Sequence, residues 1–219
     1  MAASTTEIVF QGRAGVIQCA LDWPEQAPRG WALLLHPHPL YGGTRDNKVV
    51  TTLARASTQA GLLVLRPNFR GVGQSAGTFS QGEGETDDMW QLLEQVLPRY
   101  PQLQGLPFVL GGFSFGSVVA SRLAQRLAQA TAAAPPAPQA VLMVGTATER
   151  FQVAPVPSHS LVVHGEVDDT ISLASVLDWA RPQDLPVVVV PGASHFFHGK
   201  LVGLRQIVAD HLRLRLGPP

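Results

Sequence analysis

Six short β-rich runs alternate along this chain with segments of helical periodicity: Trp31 to His36, Leu62 to Arg66, Phe108 to Gly111, Ala140 to Val144, Leu161 to His164 and Val187 to Val190. Each run is near-continuous in apolar residues, the pattern of a strand buried on both faces, so helices must cover either side of a parallel sheet. Apolar residues recur at helical spacing in Val49, Val50, Leu53, Ala54, in Met89, Leu92, Leu93, Val96, and in Leu201, Leu204, Ile207, Val208, Leu212. Upstream, Glu7 to Phe10 and Val16 to Leu21 flank Gly12 to Gly15, which reads as an antiparallel hairpin at the sheet's edge. The expectation is a single α/β domain over 1–219 with a mostly parallel, doubly wound sheet of about eight strands. Gly145 to Ser160 is long for a loop but too short for a cap domain, so no cap is expected and the site should be open. The Ala- and Pro-rich stretch from Ala128 to Pro138 reads as a helix end followed by an extended linker.

The third of these runs leads into Gly112-Phe113-Ser114-Phe115-Gly116, after which Val118, Val119, Leu123 and Leu127 recur at helical spacing. A strand that turns this sharply into a helix strains the residue at the turn, and small residues two positions before and after it make the turn possible. Ser114 stands at that point, exposed at the strand's end and facing the positive end of the following helix. That is the setting of a nucleophilic serine.

Composition removes other classes. Sixteen basic residues balance sixteen acidic ones, so the electrostatic footprint of a nucleic-acid binder is missing. Cys19 is the lone cysteine and has no partner for an intramolecular disulfide, and the first residues lack a basic stretch followed by an apolar core, which points to a cytoplasmic protein. The apolar runs are far too short to cross a bilayer.

A serine hydroxyl needs a base beside it, usually a histidine whose tautomer a carboxylate fixes. Functional groups of open α/β sheets gather beyond the carboxyl ends of the strands, and two such loops carry the required types. His164-Gly165-Glu166-Val167-Asp168-Asp169 follows one run, and Pro191-Gly192-Ala193-Ser194-His195 follows the last. Asp168 and Asp169 compete for the acid. Of the other histidines, His159 and His211 fall on apparent surface segments, His164 reads as a packing residue and His198 as a structural or substrate-contacting one.

With its order of Ser, Asp and His, the chain resembles the α/β-hydrolase superfamily over nearly its whole length. His36-Pro37-His38-Pro39-Leu40-Tyr41-Gly42-Gly43-Thr44 and Asn68-Phe69-Arg70-Gly71-Val72-Gly73-Gln74-Ser75 are similar to small, lidless bacterial serine hydrolases near the dienelactone-hydrolase-like group. Dienelactone hydrolases carry a cysteine at the elbow where this chain has Ser114, so their substrate does not carry over. The resemblance implies a triad of Ser114, Asp168 and His195, with Asp169 a neighbour of the acid. An oxyanion hole needs two N–H donors, one from the residue after the nucleophile, Phe115. Prolines cannot supply the second, which leaves His38, Leu40 or Tyr41, and the superfamily alignment selects His38.

The function so implied is hydrolysis of a carboxylic ester, or of a thioester or amide, of a small soluble molecule through an acyl-enzyme, by a monomer or homodimer without cofactor or metal. Leu40, Tyr41, Phe113, Phe115, Phe196 and Phe197 are the candidate pocket residues. One alternative is a metal-dependent hydrolase using His36, His38, His195 and His198; no carboxylate-bearing metal motif accompanies them. Another is a catalytically idle fold kept as a binding module. The Arg70 to Ser75 loop lacks P-loop spacing and reads as a scaffold turn with Arg70 in an ion pair, and Glu83, Glu85, Asp87 and Asp88 read as a solvated helix start.

Overall fold

In the computed structural model, which describes residues 4–131 and 134–217, the chain opens as a long hairpin, β1 (Ser4–Gly12) and β2 (Gly15–Trp23), turning at Arg13 and Ala14. Residues 132 and 133 of the expected linker lie outside the described residues. The hairpin joins the sheet through an antiparallel pairing of β2 with β4 (Leu62–Pro67). Every other pairing is parallel: β3 (Gly30–Leu35) beside β4 and β5 (Phe108–Phe113), then β6 (Ala140–Val144), β7 (Leu161–Gly165) and β8 (Val187–Val190). The spatial order is β1-β2-β4-β3-β5-β6-β7-β8, eight strands as expected.

Strand side chains alternate between two cores, as the pleat requires. Trp31, Leu33 and Leu35 of β3, with Phe108 and Leu110 of β5, face α2 (Glu83–Arg99), α3 (Phe115–Ala128) and α4 (Leu173–Ala180). Ala32, Leu34, Val109 and Phe113 face α1 (Lys48–Gln59) and α5 (Leu201–Leu216) on the other side. The sheet is therefore doubly wound, and the segment from 145 to 160 contains no helix or strand that could form a cap.

Arg70 holds the expected ion pair, a two-point one with Asp88: Nε lies 2.5 Å from Oδ2 and Nη2 lies 3.1 Å from Oδ1. The acidic run at the start of α2 is not the solvated feature its composition suggests. Asp88 is buried in that pair, and Glu85 is buried where it accepts the N–H groups of Ser80 and Gly82, so these two carboxylates tie the loop after β4 to the helix. His159 and His211 also depart from expectation. Both are half-buried, and burial first, then the charge of Arg215, lowers the pKa of each.

Candidate active site

Ser114 sits at the junction of β5 and α3 with φ 55° and ψ −119°, a left-handed conformation rare for a residue with a side chain. The surroundings hold it there. A Cβ added at Gly112 would stand 2.2 Å from the Gly116 carbonyl, and one at Gly116 would stand 2.2 Å from the Leu35 oxygen, so both positions admit only hydrogen. The Ser114 N–H donates to Val144 O on the neighbouring strand, and Ser117 N–H donates back to Ser114 O as the helix begins.

The loops after β7 and β8 meet beside this serine. Val167 N–H donates to Ala193 O, Glu166 N–H to Val190 O, and the Glu166 carboxylate takes the Gly192 N–H at 2.8 Å. These bonds fix the acid-bearing loop to the histidine-bearing one, a clip that sequence gave no reason to assign to Glu166. His195 is 2 % exposed and spans the gap: its Nε2 lies 3.0 Å from Ser114 Oγ and its Nδ1 lies 2.7 Å from Asp168 Oδ2. The carboxylate's other oxygen accepts N–H bonds from Thr170 at 2.9 Å and Ile171 at 2.8 Å. Burial alone would raise the Asp168 pKa, but the bonds from His195, Ile171 and Thr170 outweigh it and hold the carboxyl below its ordinary value. An ionised Asp168 favours the His195 proton on Nδ1, which leaves the lone pair of Nε2 facing Ser114 Oγ.

Asp169 does not join this arrangement. It is exposed, and among the described residues its carboxylate accepts only the Thr170 hydroxyl, at 3.3 Å. His164 lies closer to the site than a packing residue would. Its Nε2–H donates to Ile171 O at 2.9 Å and stands 3.4 Å from Asp168 Oδ2, while burial lowers its pKa and keeps it neutral.

In the loop after β3, His36 donates from Nδ1 to Pro37 O at 2.6 Å and accepts the Phe69 N–H on Nε2 at 2.9 Å. The 3-10 turn Pro39–Tyr41 then directs two N–H groups inward on the loop itself: Leu40 N–H donates to His38 Nδ1, and Tyr41 N–H to His38 O. The His38 N–H has no acceptor among the described residues, nor has that of Phe115 at the first position of α3. With both nitrogens of His36 and Nδ1 of His38 occupied in this way, the four histidines of the metal alternative do not form a ligand set; among the described residues no three His, Cys, Asp or Glu side chains do.

The aromatic surroundings differ from the expected list. Phe113 and Phe197 are both fully buried in the α5-side core, Phe197 turned there by a φ of 53°, so Phe113 touches the site through the His195 ring and Phe197 does not line it. Phe79 and Phe151, absent from that list, pack beside Phe115 and His38, with ring centroids 5.4 and 5.1 Å from that of Phe115. Neither belongs to a periodic segment; the one available signal is that each follows the carboxyl end of a strand, the rule that located the acid and the histidine.

An α/β serine hydrolase without a lid from Xanthomonas campestris is 33% identical to this chain, covers 99% of it with 97% of its own length, and superposes with a TM-score of 0.88. This chain belongs to the lidless α/β serine hydrolases. An α/β serine hydrolase homologue from Coxiella burnetii is 34% identical over 94% of this chain and 97% of its own, at a TM-score of 0.78. An uncharacterized protein of Rickettsia prowazekii is 32% identical over 94% of this chain and 88% of its own. No protein-family model matches the chain. Membership of this hydrolase family gives the serine, histidine and carboxylate a chemical context, and no helix among the described residues is long and apolar enough to cross a membrane.

Proposed function

We propose that this hydrolase cleaves carboxylic esters of small soluble molecules through an acyl-enzyme on Ser114. The observation that carries the reading is the unbroken line from Ser114 Oγ through the two nitrogens of His195 to Asp168 Oδ2, at 3.0 and 2.7 Å. His195 Nε2 accepts the Ser114 proton as Oγ attacks the ester carbonyl. The Phe115 and His38 N–H groups, which have no acceptor among the described residues, receive the developing oxyanion; Leu40 and Tyr41 have theirs engaged within the loop. The imidazolium, balanced by Asp168, passes its proton to the leaving alcohol. Water then gives a proton to the same Nε2 as its oxygen adds to the acyl carbon; the C–Oγ bond breaks, the imidazolium returns that proton to Ser114 Oγ and the acid leaves.

The test is turnover of an activated aryl ester by the wild type and by Ser114→Ala. The alanine keeps the elbow's packing, so it should fold while losing turnover by about three orders of magnitude. Wild-type turnover by the variant would remove Ser114 from the chemistry, and a folded wild type inert toward every acyl donor would mark a binding module.

A further inference from the structure

Two groups of rings are built on the neighbours of Ser114, one on Phe113, which belongs to the core on the α5 face of the sheet, and one on Phe115, which belongs to the core on the opposite face. On the first side His195 lies 5.0 Å from Phe113 and 5.1 Å from Phe196 between ring centroids. On the second, His38 lies 4.5 Å from Phe79, 4.6 Å from Tyr41, 5.2 Å from Phe115 and 5.8 Å from Phe151. Each of these rings is tilted to His38 by 38 to 50°, and Phe79 and Phe151 are inclined to Phe115 by 58 and 61°, so the cluster presents edges and faces together rather than a closed stack. They are also unfinished. Phe115 is buried, but His38, Phe79 and Phe151 are only half-buried and Tyr41 is 76 % exposed.

The chemistry assigns a part of the substrate to each side. His195 must protonate the leaving oxygen, so the alcohol portion lies by His195 and Phe196, and the acyl portion lies on the other side of the tetrahedral carbon. That side is the His38 cluster, whose two backbone donors also receive the oxyanion. Resting on the ester-hydrolase reading above, we propose that His38, Phe79, Phe115 and Phe151, with Tyr41 at the rim, form an acyl subsite for a flat aromatic ring. An aromatic acyl group covers the exposed ring faces and adds edge-to-face contacts that a saturated ring of the same size does not make.

The test compares 4-nitrophenyl phenylacetate with 4-nitrophenyl cyclohexylacetate, which share a leaving group and keep their rings one methylene from the carbonyl, each rate divided by its hydroxide-catalysed rate. The corrected kcat/KM ratio should favour phenylacetate by about fivefold. In Phe151→Leu and in Phe79→Leu, two separate loop positions whose rings are half-exposed, the ratio should fall toward one. Turnover of both esters at a ratio near one, or a ratio unchanged in both variants, overturns the subsite and leaves ester hydrolysis standing. A preference for benzyl acetate over cyclohexylmethyl acetate with none between the two acyl esters puts the ring on the Phe196 side and also overturns the assignment. Turnover of none of them, in a protein that folds, overturns the ester reading itself.

Discussion

His36 ties the loop that carries His38 to the loop that follows β4, and replacing it makes a prediction with a pH signature. The imidazole is fully buried, and its neutral form makes two bonds, to Pro37 O and from Phe69 N–H; a second ring proton would expel the latter. Burial lowers its pKa from 6.5 to about 4, against smaller raising effects of the Pro37 bond and of Asp46. Because the folded value lies below the unfolded one, the unfolded chain takes up a proton between these two values and the folded chain does not. Stability is therefore highest above pH 6.5 and is lost as pH falls through this window toward 4. A shift of this size corresponds to about 3 kcal/mol over the whole window, most of it lost by about pH 4.5. His36→Phe keeps the ring packing on Phe69 but leaves the Phe69 N–H and Pro37 O without partners, at a cost of about 3 kcal/mol near pH 7. The variant has no proton to gain at this position, so the gap to wild type should close to about 1 kcal/mol or less at about pH 4.5. Urea unfolding followed by tryptophan fluorescence at the two pH values measures both gaps. The other histidines with lowered values cancel in the comparison. A gap equally wide at both pH values would refute the neutral, doubly bonded His36.

Asp168→Asn should lower kcat about a thousandfold, since the amide cannot hold the proton on His195 Nδ1, whereas Asp169→Asn should stay within about twofold of wild type; steady-state kinetics of the pair decide, and the reverse ranking would move the acid to Asp169. Across saturated acyl esters, kcat/KM should peak at short chains with no jump at the solubility limit. Each methylene gains about 0.8 kcal/mol only when it leaves water, and an uncapped face cannot enclose a long chain. A maximum at palmitoyl esters would contradict that reasoning.

The central strands were legible because burial on both faces leaves a continuous apolar run: β6, buried along its whole length, occupies the span its sequence predicts, and β8 does so too although it is the edge strand and only Val190 of it is buried. β1 starts at Ser4, three residues before its apolar pattern, because an edge strand is extended by backbone bonds that side chains need not announce. The serine, histidine and aspartate could be assembled from post-strand loops and the resemblance, but not the choice among loop donors. That choice depends on where the Leu40 N–H goes, a bond to the His38 ring that no pattern encodes. Phe197 misled for a similar reason: a positive φ turned inward a ring that composition alone would leave beside the site. Glu85 and Asp88 were misread because their partners, the Ser80 and Gly82 N–H groups and Arg70, are brought to them by the loop's path.

The central claim is that Ser114 is a nucleophile made reactive by His195. Treatment with a fluorophosphonate, followed by intact-mass and peptide analysis, tests it most directly, because the reagent forms a stable phosphonyl ester only with an activated serine. The account predicts one adduct per chain, on the peptide containing Ser114, formed rapidly by the wild type, absent in Ser114→Ala and greatly slowed in His195→Ala. A folded wild type that takes no label, or an adduct on Ser117 or another serine that persists in Ser114→Ala, would contradict it.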